Sequence, residues 1–321
     1  MRCYFAPLEG ITGYVFRNAH RDFFEPADKY FSPFIVPKPN TGKQLSAKER
    51  EDLLPEHNQG LYLVPQIMTN RAEDFVKTTK ALEQLGYQEV NLNLGCPSRT
   101  VVSKGRGSGF LTKPEELDRF LEEIFDELSV RISVKTRIGK DHAEEFEGLL
   151  EIFNRYPLEE LIVHPRIQQD FYNGKPDMQT FGRAAEESEN PVCYNGDIFC
   201  LKDYQKVVED YPQIKSVMMG RGLLANPGLI GEIRGKERMN KNTFRLFHDR
   251  LLADYRQIFF GDKNVLFKMK EFWFYAAWMF TDSGKYAKRI RKTQKLEIYL
   301  DVIERLFAEQ ELKAGGGFRT M

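Results

Sequence analysis

Eight short apolar runs recur along the chain, and most of the segments between them carry apolar residues at three- and four-residue spacing. The runs are "CYFAP" near residue 3, "YFSPFIV" near 30, "LYLVPQI" at 61, "EVNLNLG" at 89, "RISVKTR" at 131, "ELIVHP" at 160, "PVCYNGD" at 191 and "KSVMMGR" at 215. Helical stretches include "NRAEDFVKTTKALEQLG" from Asn70 and "KPEELDRFLEEIFDEL" from Lys113, the latter with a proline in its first turn, as helix starts allow. Strands alternating with amphipathic helices predict βαβ units and a parallel sheet. Eight repeats over roughly 235 residues match an α/β fold of the (β/α)8 or TIM-barrel type. A doubly wound sheet would carry a glycine-rich dinucleotide turn after an early strand, and "GRGSG" at 105 to 109 lacks the GxGxxG spacing.

Around Gly235 the alternation ends, and from Asn242 the pattern is helical throughout, as in "FRLFHDRLLADYRQIF" and "QKLEIYLDVIERLFAEQ". The expected organisation is a barrel over 1–237, a small all-α domain over 238–314 and a tail over 315–321 too glycine-rich to be ordered. With 41% hydrophobic and 29% charged residues in 321, the composition excludes a disordered chain. The most apolar stretch, "FWFYAAWMF" at 272 to 280, is too short to span a bilayer, and "MRCYFAPLEG" has no signal-peptide pattern. Cys3, Cys96, Cys193 and Cys200 form no CxxC pair and have no histidine cluster at metal-ligand spacing. A zinc site and a disulfide scaffold are therefore not expected, and a cytoplasmic setting is. The long helical end permits a monomer.

In such a barrel the chemistry lies at the C-terminal ends of the strands. Those ends here are Ala6-Pro7-Leu8-Glu9-Gly10, Gln66, Asn93 with Cys96, Lys135 with Arg137, His164 with Arg166, Asn195-Gly196-Asp197 and Gly220-Arg221-Gly222. Packing does not require polar and cationic groups at almost every strand mouth. Barrels frequently bind phosphate after their last two strands, and "NGD" and "GRG" supply glycines with Arg221 adding charge. The plainer alternative is that these glycines only make tight turns. A lysine inside a barrel is costly unless its charge has a use. One use for Lys135 is to stabilise negative charge on a reduced flavin, with Gln66 donating and accepting at the edge of the same ring. Taken singly, Lys135 fits a core ion pair, Gln66 a buried backbone partner and Cys96 a small core hydrophobe.

In order along the chain, "APLEG", "NLNLGCPS", "VKTRIG", "VHPR", "NGDI" and "VMMGRGLLANP" resemble the motifs of the dihydrouridine synthase family, FMN enzymes that reduce uridine in tRNA. The resemblance runs from residue 2 to about 235 and continues more loosely through the helical end, which is similar to that family's RNA-binding domain. It implies flavin contacts at Pro7, Gln66, Lys135, His164, Asn195, Gly196, Gly220 and Arg221, with Ala6, Leu8 and Asp197 beside them, and a proton-donating cysteine at Cys96. It also implies NADPH as the reductant of FMN, hydride transfer to carbon 6 of uracil and protonation of carbon 5. The chain departs from the family at Val102, where an asparagine is common, and at Pro165 and Ile167. These departures fall on loops expected to line the RNA.

Net charge is zero, but from Lys236 to Met321 there are 18 Lys and Arg against 11 Asp and Glu, which points to a polyanionic partner. The stretch "KYAKRIRKTQK" holds six cations and no acid, and on a helix Lys285, Lys288, Arg289 and Lys292 share a face suited to phosphates. Lys104, Arg106, Arg137 and Arg166 are expected to add RNA contacts nearer the target base. A solvated basic surface is the bland alternative for the helix. The aromatic residues Phe272, Trp273, Phe274, Tyr275 and Trp278 recur on all faces of one helix and are expected in its core. Three further readings stay open: a flavin barrel reducing a small enone or pyrimidine, a synthase acting on ribosomal RNA, and a non-enzymatic RNA-binding protein built on a retired barrel.

Overall fold

The computed structural model describes residues 1–38 and 44–318. Nine strands form one sheet: β1 (Arg2–Phe5), β2 (Lys29–Phe31), β3 (Leu63–Val64), β4 (Gln66–Ile67), β5 (Glu89–Leu94), β6 (Arg131–Arg137), β7 (Leu161–His164), β8 (Val192–Asn195) and β9 (Ser216–Met219). Their order is β3-β2-β1-β9-β8-β7-β6-β5-β4. The two ends of that order are consecutive in the chain, separated only by Pro65. Leu63 and Val64 pair in parallel with Tyr30 and Phe31, while Gln66 and Ile67 pair in parallel with Asn91 and Leu92. Proline has no N–H for a ladder and so splits the run, though its carbonyl still accepts from the Asn91 N–H at 2.9 Å. The expected eight-stranded parallel barrel is therefore present, with its third strand broken in two.

The chain divides into two compact units. The first comprises Met1–Pro7, Asp28–Gly196 and Val208–Met218, and so holds nearly all of the barrel strands. Its interior is filled by Tyr4, Ala6, Phe31, Val64, Ile162, Cys193 and Met218. At the strand starts the polar groups are paired: Lys29 Nζ donates to both Glu89 oxygens at 2.8 Å, and the buried Glu160 carboxylate accepts from Tyr4, Ser216 and Arg2. A cavity of about 260 Å³ opens at this end between Tyr62, Tyr87, Glu89 and Arg131. In (β/α)8 barrels this N-terminal face serves stability rather than chemistry.

The second unit comprises Leu8–Ala27, Asp197–Val207 and the chain from Met219 onward. Helices Tyr14–Phe23, Lys241–Ile258, Asp262–Ala276 and Leu296–Glu309 supply an aromatic core of Phe16, Phe244, Phe247, Phe272, Trp273 and Phe307. Phe16 meets Phe247 edge-on at 5.6 Å. The buried Tyr299 hydroxyl lies 2.8 Å from Trp273 Nε1 and 2.6 Å from His248 Nε2, which satisfies three polar groups that helix burial removes from water. Phe272 and Trp273 occupy the core as expected, whereas Phe274 is exposed. Of the glycine-rich end expected to fray, residues 315–318 are described and Phe318 is buried; residues 319–321 lie outside the described residues. Among the described residues no helix is long and apolar enough to cross a membrane.

Candidate active site

Alternate residues of a strand share a face, and the register of the first unit puts the polar ones in tiers. Asn91 pairs with Gln66 and Ser133, Asn93 pairs with Lys135, and Arg137 pairs with His164. Gln66 is wholly buried; its Nε2 donates to Asn91 Oδ1 and its Oε1 accepts from Asn93 Nδ2, both at 2.7 Å. That fixes the Asn93 amide so that its Oδ1 accepts from the backbone N–H groups of Gly95 and Cys96, each at 3.0 Å.

The turn carrying Cys96 is held from several other sides. Arg137 Nε donates to Gly95 O at 3.0 Å, Ser108 Oγ to Cys96 O at 2.8 Å, and Gln168 Nε2 to Pro97 O at 3.1 Å. Gly107 lies beneath it at φ +54°, where an added Cβ would fall 2.8 Å from Cys96 O. The "GRGSG" stretch thus owes a glycine to close backbone approach under the cysteine. Cys96 itself is partly exposed and forms no disulfide.

Lys135, on the same tier as Asn93, has no hydrogen-bond or ion-pair partner among the described residues, which removes the core ion pair as its explanation. Burial, followed by the nearby Arg137 charge, pushes its amine down to about 8, and Cys96 is close enough to act on it electrostatically. His164 is held well below its ordinary value by burial and by Arg137, Lys135 and Arg166, so it is neutral at physiological pH. Its Nδ1 lies 2.7 Å from the Asn195 carbonyl, which can only accept, and the proton is therefore assigned to Nδ1. Nε2 is left as the acceptor and faces Arg166 Nη1 at 3.4 Å. Asn195 is held in turn by its Nδ2 bond to Met218 O at 2.9 Å.

Arg137 and Arg166, expected at an RNA surface, are at most 2% exposed. Arg137 donates to the carbonyls of Ile167 at 2.8 Å and Phe171 at 2.6 Å, and Arg166 to those of Asn173 at 3.0 Å and Gly174 at 2.8 Å. These guanidinium groups build the loop after β7. The loop is strained at Phe171, a bulky residue at φ +51°. It presents Tyr172, 48% exposed, edge-on to His164 with centroids 6.0 Å apart and 5.5 Å from the Arg137 guanidinium. Nothing in the sequence marks Tyr172, because its position depends on backbone strain and on two arginines that donate to loop carbonyls.

In the second unit, Leu8 N donates to Thr12 Oγ1 at 2.8 Å and Lys268 Nζ donates to Gly10 O, which together shape the turn after β1. Ala6 and Pro7, at the edge of the first unit, are buried and half-buried. Arg221, directly after Gly220, donates through Nη2 to Asp197. Gly222 packs so closely on the Ile198 carbonyl that a Cβ would lie 2.1 Å from it, so this glycine is demanded by packing. Gly196 is half-buried. Among the RNA-facing candidates, Lys104, Lys285, Lys288 and Lys292 are exposed and Arg106 and Arg289 partly so; helix Ser283–Lys292 buries Tyr286 and Ile290 on its other face. No group of three or more metal-ligating side chains occurs among the described residues.

A parallel barrel with a thiol, a lysine that no described residue pairs with and a neutral histidine at its strand mouths has the form of the (β/α)8 class. Residues 4–298 match the family model described as dihydrouridine synthase (Dus), and the chain belongs to that family. It is 26% identical over 230 residues to tRNA-dihydrouridine synthase B of Pasteurella multocida, covering 71% of this chain and 67% of the relative. It is 28% identical over 242 residues to the tRNA-dihydrouridine(16) synthase of Cupriavidus necator, covering 73% and 74%. Among solved structures, the old yellow enzyme from Trypanosoma cruzi superposes with a TM-score of 0.55 at 11% identity, over 76% of this chain and 91% of that one. Morphinone reductase in complex with tetrahydroNAD gives 0.51 at 14%, over 76% and 90%. At these identities the structural likeness concerns the fold alone.

Proposed function

We propose that this protein reduces the 5,6 double bond of specific uridines in RNA, with tRNA as the substrate, to dihydrouridine, using FMN, NADPH and a proton from Cys96. The observation that carries the reading is Lys135: a half-buried ammonium without a counter-ion among the described residues, on the tier of Asn93 and within electrostatic reach of Cys96. A cation so placed is stabilised by an anionic ligand, and the reduced isoalloxazine, negative at nitrogen 1 and the carbon-2 carbonyl, meets that need. When bound, reduced FMN supplies the hydride that goes to carbon 6 of uracil, and NADPH restores it.

The chain's own residues do the rest. Lys135 balances charge on the ring. His164, protonated only at Nδ1, offers Nε2 as an acceptor. The Asn195 carbonyl holds that histidine, Gly196 follows Asn195 after β8, and Pro7 with Ala6 and Leu8 follows β1 in the family pattern. Gly220 and Arg221 take the phosphate, and Asp197, whose charge a phosphate repels, orients Arg221. Gln66 acts through Asn93, which fixes the backbone of Cys96. Cys96 gives its thiol proton to carbon 5 as the hydride arrives at carbon 6, and the thiolate regains a proton from solvent. The target base has to leave its stack to reach the site, and the exposed cations of Ser283–Lys292, with Lys104 and Arg106, hold the RNA by its phosphates. A cytoplasmic enzyme follows from this substrate.

Nucleoside mass analysis of tRNA and ribosomal RNA from cells with and without the gene tests the reading. The expected result is loss of dihydrouridine at defined tRNA positions. Loss confined to ribosomal RNA moves the substrate, and retention of every dihydrouridine in a strain without a paralogue leaves a small-molecule flavin reductase.

A further inference from the structure

Residues 311–318 are built into the second unit by their glycines. Glu311 O accepts from Thr281 N at 2.8 Å, Lys313 N donates to Met279 O at 2.8 Å, and Leu312 bridges antiparallel to Phe280. Gly315 then turns at φ +67°, and Gly316 runs so close that an added Cβ would lie 3.1 Å from Lys313 O. Gly317 crosses the Phe199 backbone where a Cβ would fall 2.4 Å from Phe199 O. Three glycines in a row here permit close approach, not looseness. They deliver Phe318, 9% exposed, against Phe199, Tyr275 and Trp278 at centroid distances of 5.7, 5.3 and 6.1 Å.

Phe318 and Phe199, tilted by 57° to one another, form a corner. The Arg221 guanidinium carbon sits in it, 5.2 Å from the Phe199 centroid and 5.5 Å from that of Phe318. Its side chain is only 12% exposed, and Nη2 donates to Asp197. Phe199 is itself fixed, because its N–H donates to Asp203 at 2.9 Å. A guanidinium is a flat fork whose usefulness to a phosphate depends on the direction of its edge. Two rings and one carboxylate set that direction, and one of the rings comes from the end of the chain.

We propose that the segment Lys313 to Phe318 is a strap that positions Arg221, so that Phe318 sets the affinity for the cofactor's phosphate. This rests on the reading of Arg221 as the phosphate contact. Phe318 is a positioning residue and touches no reacting atom.

The test titrates FMN, and separately riboflavin, into the full-length cofactor-free protein and follows quenching of flavin fluorescence. Wild type is expected to bind FMN more tightly than riboflavin, and Arg221→Ala to lose that preference. Phe318→Ala is expected to weaken FMN about fivefold to tenfold, the scale of one desolvated cation–ring contact, with riboflavin unchanged. Phe318→Tyr should restore FMN binding, Gly317→Ala should copy the loss without removing the ring, and Phe318→Ala should add nothing to Arg221→Ala. Wild-type FMN affinity in folded Phe318→Ala or Gly317→Ala, with Arg221→Ala impaired, overturns the strap and leaves the Arg221 reading intact. An equal loss for riboflavin overturns it too, since a general packing defect produces that. An unaltered FMN preference in Arg221→Ala removes the phosphate reading itself, and failure of wild type to bind FMN removes the flavin.

Discussion

Cys96 is placed by bonds to its backbone, so replacing its side chain leaves the turn in place. Asn93 holds its N–H, Ser108 its carbonyl, and Arg137 and Gln168 hold the carbonyls on either side. Cys96→Ala should therefore bind flavin and accept electrons from NADPH at the wild-type rate. Uridine reduction should fall about 100-fold or more, the usual worth of a positioned acid. Single-turnover kinetics separates the two half-reactions, and equal loss in both contradicts the assignment. Lys135 carries the opposite kind of prediction. Its amine titrates near 8 when folded and at 10.5 when unfolded, so between those values the unfolded chain binds more protons and stability rises with pH. Below pH 8 the cofactor-free protein bears the full cost of a half-buried charge that no described residue pairs with. Lys135→Met should stabilise it there by on the order of 2 kcal/mol, with the advantage shrinking as pH climbs through that window, while flavin binding weakens. Thermal denaturation across pH checks the first effect. The type of residue at 135 was readable in the chain, because a lysine at a strand end asks for a purpose. The destinations of Arg137 and Arg166 were not: the same cation serves a phosphate or a loop carbonyl, and only the fold says which.

Between strand and helix, the turn after β5 depends on glycines as much as on the cysteine. Gly107 is at φ +54° with the Cys96 carbonyl, the Cys96 Cβ and Val101 Cγ1 all within 3.0 Å of where a Cβ would stand. Gly107→Ala should cost about 1–3 kcal/mol and displace the thiol. Reduction of uridine should fall with reduction of flavin by NADPH maintained, a split that calorimetry and stopped-flow absorbance measure together. The repeating runs gave the strands because a parallel strand buried on both faces must be apolar nearly throughout. Pro65 showed in the sequence, but its effect on the closure, one run pairing in two halves with two neighbours, needed the register. The terminal glycines carry a related ambiguity. Glycine marks both loose chain and tight approach, and composition alone does not distinguish them.

Across the whole molecule, charge is sorted by segment. The exposed cations Lys285, Lys288 and Lys292 stand on a helix that buries only Tyr286, Ile290 and Ser283. Lys288→Glu combined with Lys292→Glu should raise KM for RNA, flatten the salt dependence of binding by about one to two in log–log slope, and leave flavin reduction by NADPH alone. An unchanged KM makes that face ordinary solvated surface. The barrel and the family were legible from spacing and motif order, while the identity of the RNA was not, because loops such as the one carrying Tyr172 take their shape from strain and buried arginines. The central claim, a flavin site that reduces uridine within RNA, is tested most directly by reducing the purified holoenzyme anaerobically with NADPH and adding unmodified tRNA. The account predicts prompt re-oxidation of the flavin with one dihydrouridine formed per flavin oxidised, and no such oxidation by free uridine. Re-oxidation by free uridine or a simple enone as fast as by tRNA, with no dihydrouridine in the RNA, contradicts it.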